Sequence, residues 1–190
     1  MDTDWPGCSA KTASAQLGGT RSGGPRASEL IAESHVEPVR ALASRFQDVA
    51  AKLGVPAAVL AAIASRESNV GQALDRGGWG DHGNGFGIMQ VDRRHHRIEG
   101  DHDPASLEHI EQAAGIYTTN LERMWAMSRY AGWDDRYLLQ GATAAYNFGI
   151  GNVKTRAGID EGTSGDDYGG DTLARAKYFY HHPRLAELHA

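Results

Sequence analysis

The sequence predicts an α+β protein that is mostly helical and carries a small antiparallel sheet. Five stretches of the chain repeat apolar residues at the spacing of an amphipathic helix. Residues 77–87 contain six glycines in eleven positions. This density excludes a helix there and favours tight turns around short strands. The chain of 190 residues is long enough for one sizeable hydrophobic core.

The first part of the chain is predicted to be loose and the rest to form one domain. Residues 1–27 are rich in Gly, Ser, Thr and Ala, so we expect a loose segment or one draped over the surface. Residues 28–190 are expected to form a single domain. Its first helix is predicted to run from about Ser28, as the N-cap, to Lys52. Pro56 occupies a favoured first-turn position and begins the second helix.

Three more helices are predicted after the glycine-rich segment. One runs from Pro104 to about Tyr130, and the next begins near Asp134, which can cap it. The last begins at Asp171 and ends at Pro183, because proline cannot continue a helix. The inner stripe of the first of these three helices is predicted to comprise Leu107, Ile110, Ala114, Tyr117, Leu121, Met124 and Trp125.

One glutamate stands out at the end of the second predicted helix. The apolar stripe of this helix comprises Val59, Leu60, Ile63 and Ala64. The next position on that stripe is Glu67, so its carboxyl group is directed toward the core. Desolvation raises the pKa of a carboxyl group, which suits a general acid. The alternative is a glutamate at a helix end that simply points to water.

Two aspartates accompany the glycine-rich segment. Asp81 lies inside it, and Asp92 follows it after a short apolar run. Glycoside hydrolysis needs one carboxyl group to protonate the glycosidic oxygen and another to activate or orient water on the opposite face of the sugar. A helix-end glutamate with aspartates on a neighbouring hairpin is an arrangement of that kind.

Several motifs, in this order along the chain, resemble those of goose-type (g-type) lysozyme. They are IASRES at 63–68, GWGDHGNGFGIMQVD at 78–92, AAYNFGIGNV at 144–153 and GTSGDDY at 162–168. The segment GCSAKT at 7–12 is also similar. The resemblance covers roughly residues 7–180, and its multi-residue motifs make it specific. It implies a lysozyme-like catalytic domain at 28–190, with the small sheet flanking the active-site cleft.

The resemblance also implies an activity and roles for particular residues. Known members cleave the β-1,4 bond between N-acetylmuramic acid and N-acetylglucosamine in bacterial peptidoglycan, and N-acetylglucosamine oligomers are related ligands. Glu67 matches the general acid, while Asp81 and Asp92 match aspartates that place and activate water in an inverting mechanism. The residues that match substrate-binding positions are Gln90, His96, Tyr146, Asn147 and Tyr168. The resemblance implies no metal and no organic cofactor.

Two other functions remain open for these motifs. Lytic transglycosylases of the wider superfamily share similar motifs but use one catalytic glutamate, so that the muramyl 6-hydroxyl attacks and an anhydro product forms. The presence of both Asp81 and Asp92 favours hydrolysis. A non-catalytic module that binds peptidoglycan or chitin is the second alternative, although such a module would not need all three carboxyl groups. Without the resemblance, Tyr146 could equally be a core residue.

Charge and cysteine content distinguish this chain from what is usual for such enzymes. The formal net charge is −5, whereas enzymes acting on anionic cell walls are often basic. The positive charge is local, at Arg93, Arg94 and Arg97. Better-known family members carry disulfides near the N-terminus, but Cys8 is the single cysteine here and cannot form an intramolecular bridge.

Location and partners are expected mainly from the resemblance. It implies a secreted protein, but the first residues lack the basic start and apolar stretch of a signal peptide, so a cytoplasmic location or unconventional export stays open. We expect a monomer, with no nucleic-acid partner and no membrane partner. Residues 95–103 and His109 could suggest a metal site, but they lack zinc spacing and lie beside arginines. The glycine-rich run lacks the Gly-Lys-Ser/Thr of a phosphate loop.

Overall fold

The computed structural model describes residues 2–189 and confirms the predicted fold class. The helices are α1 (Ala10–Leu17), α2 (Pro25–Ser34), α3 (Val36–Ala41), α4 (Ala43–Leu53), α5 (Ala57–Ser68), α6 (Leu107–Ala126), α7 (Asp135–Phe148) and α8 (Tyr168–His181). The strands are β1 (Trp79–Gly80), β2 (Gly85–Phe86) and β3 (Val91–Asp92). No helix within residues 2–189 is long and apolar enough to span a bilayer.

The chain forms two compact units. The first combines Met1–Glu33 with Ile116–Lys177, and the second combines Ser34–Gly115 with Tyr178–Ala190. Each unit is therefore built from two separate stretches of sequence. The first unit contains α1, α7 and most of α2 and α8, while the second contains α3, α4, α5 and the sheet.

The N-terminal segment, expected from its composition to be loose or draped over the surface, contains α1 and belongs to the first unit. Ser9 caps α1 by accepting a hydrogen bond from the Thr12 amide. The side chains of Trp5, Cys8 and Ala13 are buried. Apolar periodicity is weak in this segment because few of its side chains are apolar, and these few are enough to attach it.

A buried polar network holds this segment. The Cys8 amide donates to Ser28 Oγ at 2.9 Å, and the Ser28 hydroxyl donates to Asp171 Oδ1 at 2.7 Å. Asp171 in turn pairs with Arg175 at 2.7 Å, with both side chains fully buried. The prediction of Ser28 as a helix cap is therefore wrong, since Ser28 lies inside α2 and its hydroxyl serves tertiary structure.

The helix predicted from Ser28 to Lys52 is in fact three helices, α2, α3 and α4. Pro38 lies in the first turn of α3 and has no amide hydrogen with which to continue the hydrogen-bond ladder of α2. The second break is at Leu42, whose φ of −111° departs from helical geometry. Pro38 could have predicted the first break from the sequence, but the apolar spacing continues across it and favoured one long helix.

The second unit is built around α5. Every residue from Ala57 to Ser65 is buried, so this helix is covered on all sides rather than along one stripe. Its start after Pro56 agrees with the prediction. The three strands form an antiparallel sheet in the order β1-β2-β3, with Trp79 opposite Phe86 and Gly85 opposite Asp92.

The later helices follow the prediction with differences at their ends. Helix α6 ends at Ala126, and only part of its predicted inner stripe is buried, because Leu107 and Trp125 are 43% and 53% exposed. Helix α7 follows Asp134 as expected. Helix α8 begins at Tyr168, three residues before the predicted start.

Candidate active site

Glu67 lies in the last turn of α5 and is half-buried. The helix ends immediately after it, where Asn69 and Val70 both have left-handed backbone, with φ of 52° and 56°. The amides of both residues donate to the Ala64 carbonyl, which closes the helix end. A β-branched residue such as Val70 rarely adopts this conformation. The chain therefore carries backbone strain directly beside the predicted acid, as is often found at functional sites.

Ser68 connects the end of α5 to the sheet. Its hydroxyl donates to the Ile88 carbonyl at 2.7 Å and accepts a hydrogen bond from the Gly71 amide at 2.8 Å. The Ser68 side chain is 2% exposed, so water does not compete with these bonds. The residue next to Glu67 is thus fixed to the segment that joins β2 to β3.

Asp81 and Asp92 lie at one end of the small sheet and share one arginine. The Arg94 guanidinium binds both oxygens of Asp92, with Nε at 3.0 Å from each oxygen and Nη2 at 2.6 Å from Oδ2. The same Nη2 lies 3.7 Å from Oδ2 of Asp81. One nitrogen therefore links the two predicted water-side carboxylates.

The charge state of Asp92 follows from these contacts. Hydrogen bonds from Arg94, countered by some desolvation and aided by the arginine charge, lower the pKa of Asp92 to about 2. The Asp92 carboxylate in turn raises the pKa of Arg94. Asp92 is consequently a carboxylate, and a hydrogen-bond acceptor, throughout the ordinary pH range.

The Gln90 side chain braces the hairpin. Its amide nitrogen donates to the carbonyls of Gly85 and Gly87, at 3.3 Å and 2.8 Å. A Cβ at Gly80 or Gly85 would overlap the Gln90 amide, which explains why glycine stands at both positions. Gln90 itself has a left-handed backbone with φ of 53°. Gln90, predicted to bind substrate, thus also has a structural role in the hairpin.

His96 and the face of β1 lie beside this end of the sheet. His96 is exposed, and its backbone amide donates to the Asp92 carbonyl at 3.0 Å. Trp79 is partly exposed and packs edge-to-face on Phe86, while Arg93 lies over the Trp79 ring at 5.3 Å. These side chains offer imidazole, guanidinium and aromatic surface of the kind that binds sugars.

The remaining predicted substrate-binding residues belong to the first unit. Tyr146 is half-buried and Asn147 is exposed, both in the last turn of α7. Asn147 Oδ1 accepts a hydrogen bond from the Ser164 amide at 2.9 Å. Tyr168 is only 1% exposed. Within the first unit, therefore, Asn147 presents surface to solvent, whereas Tyr168 does not.

The histidine-rich segment does not gather metal ligands. Within residues 2–189 no group of three or more His, Cys, Asp or Glu side chains is placed to hold a metal ion. His95 and His102 are exposed. His109 is buried, and its Nε2 accepts a hydrogen bond from the Met89 amide at 3.2 Å. Burial lowers the pKa of His109 to about 4, so this ring is neutral and belongs to the core of the second unit.

Two residues of this site were not singled out by sequence reasoning. Ser68 was noticed only as part of a motif, although a serine at a helix end is a common hydrogen-bonding residue. Arg94 was noticed only as one of several positive charges. Its spacing of two residues from Asp92 is the signal that could have identified it, because an aspartate often accepts a hydrogen bond from the amide two residues later.

Comparison with known proteins agrees with the motifs. The family model described as Lysozyme g matches residues 1–183. The chain is 39% identical to lysozyme g of Gallus gallus over 179 residues, which are 94% of this chain and 82% of that protein. It is 40% identical to lysozyme g of Struthio camelus over 84% of this chain and 76% of the relative. Lysozyme g of Takifugu rubripes is 36% identical over 90% of both.

These similarities define the class of protein as lysozyme-type glycoside hydrolases. Within that class, the chain belongs to the lysozyme g family. It is therefore a glycoside hydrolase and a muramidase of the g type, as the motifs predicted.

Proposed function

We propose that this enzyme cleaves the β-1,4 bond between N-acetylmuramic acid and N-acetylglucosamine in bacterial peptidoglycan with inversion. Glu67 is the general acid that protonates the glycosidic oxygen. Asp81 and Asp92 hold and activate the water that attacks the anomeric carbon from the opposite face. One observation carries this proposal: two carboxylates share one guanidinium on a sheet that the Ser68 hydrogen bond connects to the helix end bearing Glu67.

The chemistry of the water side follows from the charge of the aspartates. A water molecule becomes a better nucleophile when a carboxylate accepts its hydrogen bond and, in the transition state, its proton. Asp92 is ionised because its pKa is about 2, and Asp81 is an exposed carboxylate beside it. A pair of acceptors can hold the water in a single orientation, which lowers the entropic part of the barrier.

Substrate binding is proposed for exposed or half-buried groups of each unit. His96 donates or accepts a hydrogen bond to a sugar hydroxyl or N-acetyl group, and Tyr146 and Asn147 bind sugar from the end of α7. Gln90 and Tyr168 are also proposed substrate-binding residues, although Gln90 braces the hairpin and Tyr168 is buried in this structure. The enzyme is proposed to act outside the cell as a monomer, on peptidoglycan and on N-acetylglucosamine oligomers.

Mass spectrometry of the products from purified peptidoglycan tests the activity, with Glu67→Gln as the control. We expect muropeptides with ordinary reducing ends from the wild type and none from the variant, because the amide keeps the shape but cannot donate the proton. Products lighter by one water would identify a lytic transglycosylase. Binding without any product would identify a glycan-binding module.

The roles of the aspartates are tested by Asp81→Ala, Asp92→Ala and the double variant. Each single change is expected to reduce kcat partly, and the double change far more, because either carboxylate can hold the water alone. Proton NMR of the first product from an N-acetylglucosamine oligomer would show the α-anomer if the mechanism inverts. Full activity in all three variants would remove the aspartates from the mechanism.

A further inference from the structure

Arg94 makes an unusually complete set of contacts with Asp92. Its amide donates to Asp92 Oδ1 at 2.8 Å, so the two residues form a local turn in which the aspartate side chain accepts from the chain two residues later. The turn brings the arginine side chain back toward Asp92, so that the guanidinium binds both carboxylate oxygens. The backbone contact and the fork together fix the plane of the Asp92 carboxylate.

The same guanidinium also reaches the second aspartate. Its Nη2 lies 2.6 Å from Asp92 Oδ2 and 3.7 Å from Asp81 Oδ2. The two carboxylate oxygens can therefore be no farther apart than the sum of these two distances. Two carboxylates near one another repel. A guanidinium between them offsets that repulsion.

These contacts are not explained by stability of the fold. The side chains of Arg94 and Asp81 are 57% and 60% exposed, and that of Asp92, the partner in the shorter pair, is 28% exposed. Ion pairs between exposed side chains contribute little to the free energy of unfolding. A bridge that does little for stability, yet joins the two carboxylates proposed to hold the nucleophilic water, points to a role in the reaction.

We infer that Arg94 is a positioning residue that orients Asp92 and holds it beside Asp81, so that both side chains can accept hydrogen bonds from the attacking water. The inference rests on the proposed function of the two aspartates. Arginine suits this role because its planar fork binds two oxygens at once, whereas a lysine ammonium is a point charge on a flexible stem. His95 also faces Asp92, with its Nε2 4.0 Å from Oδ2, and adds a positive charge only when it is protonated.

The test compares Arg94→Met, Arg94→Lys and the wild type, with Arg97→Met as a matched control. Arg97 is an exposed arginine three residues later, so its substitution makes the same change in net charge. The readouts are kcat and KM for hydrolysis of an N-acetylglucosamine hexamer, the dependence of kcat/KM on pH, and the melting temperature.

For Arg94→Met we expect kcat to fall about 10- to 100-fold, because misplacement of the reacting groups has effects of this size. The acid limb of the pH profile is expected to move up from about 2 toward the ordinary aspartate value of 3.8. Arg94→Lys should keep much of the low acid limb but not the rate. Arg97→Met should resemble the wild type in each readout, and the melting temperature should change little in any variant.

The inference is overturned if Arg94→Met keeps the wild-type kcat and acid limb, or if Arg94→Lys restores the full rate. A purely structural role would lower the melting temperature and leave the acid limb of the remaining activity in place. The proposed function is judged separately, from the products of the wild type and from Glu67→Gln. Loss of activity in Glu67→Gln with no effect in Arg94→Met would reject the role of Arg94 alone.

Discussion

Replacing Ser68 by alanine tests whether the connection between α5 and the sheet positions the acid. The change removes one oxygen atom that bonds to the Ile88 carbonyl and to the Gly71 amide, and more weakly to the Ala64 carbonyl at 3.4 Å. Glu67 itself is untouched. Any effect on turnover must therefore come from the position of the helix end and not from the chemistry of the carboxyl group.

The expected loss of stability follows from the two stronger of these bonds. The Ile88 carbonyl loses a 2.7 Å bond in a buried place, and a buried group without a partner costs about 1 to 3 kcal/mol. The Gly71 amide also bonds to the Ser68 backbone carbonyl at 3.1 Å, which the substitution keeps, so the cost there is smaller. Together we expect a loss of about 2 to 4 kcal/mol. In a protein of this size, each kcal/mol lowers the melting temperature by about 2 to 4 °C.

Ser65→Ala is the matched control. Ser65 lies one turn earlier in α5, is fully buried, and its hydroxyl bonds to His35 Nδ1 at 2.8 Å. Loss of this hydroxyl should lower the free energy of unfolding by a comparable amount. Its bond, however, is to His35, the residue before α3, and not to the sheet. We expect kcat to fall about 10- to 100-fold in Ser68→Ala and to stay near the wild type in Ser65→Ala, measured well below both melting temperatures.

The reasoning would be refuted if Ser68→Ala lost the expected stability but kept the wild-type kcat. Such a result would mean that the helix end keeps its position without the Ser68 bond. A fall in kcat of the same size in both variants would also contradict it, because general loosening of α5 would then be the cause.

Two further predictions concern buried charge. His109 is held neutral with a pKa of about 4, whereas an unfolded chain takes up the proton near 6.5, so the free energy of unfolding should fall by up to about 3 kcal/mol between pH 6.5 and 4. Urea unfolding at several pH values should show this slope in the wild type and lose it in His109→Gln; an unchanged slope would reject the assignment. Arg175→Met removes the cation paired with the buried Asp171 carboxylate, although the Ser28 hydroxyl still donates to it, and should lower the free energy of unfolding by about 3 to 5 kcal/mol. The exposed ion pair between Arg26 and Glu29 offers the control. Arg26→Met should lower the free energy of unfolding by less than about 1 kcal/mol, and equal losses in the two variants would contradict the argument.

Much of the fold could be predicted from local signals. Glycine density gave the turns around the sheet, and Asp134 marked the start of α7. The break at Leu42 could not be predicted, because nothing in the local sequence there opposes a helix. The exposure of Trp125 was also beyond the sequence, since apolar spacing identifies a face of a helix but not where along its length another element covers that face.

The candidate site was predicted in its residue types and less well in its connections. Glu67, Asp81 and Asp92 were selected from position and family motifs, and their catalytic roles stay predictions. The bond from Ser68 to Ile88 spans 20 residues, and no local pattern indicates which carbonyl a serine will reach. The sequence did not distinguish Arg94 from Arg93 and Arg97, because composition does not show which arginine side chain contacts an aspartate.

The way the first unit is assembled from distant stretches has a consequence for the nascent chain. The Ser9 amide bonds to Asp167, 158 residues later, and the Ser28 hydroxyl bonds to Asp171, 143 residues later. At a translation rate of about 5 to 20 residues per second, the earlier residues precede their partners by about 8 to 30 s. Through that interval these two bonds cannot form, although the apolar neighbours of Cys8, which are Ala13, Ala27 and Ile31, are already part of the nascent chain. The N-terminal segment thus has its apolar contacts from the start of synthesis, but obtains its long-range hydrogen bonds only after residues 167–171 have been made.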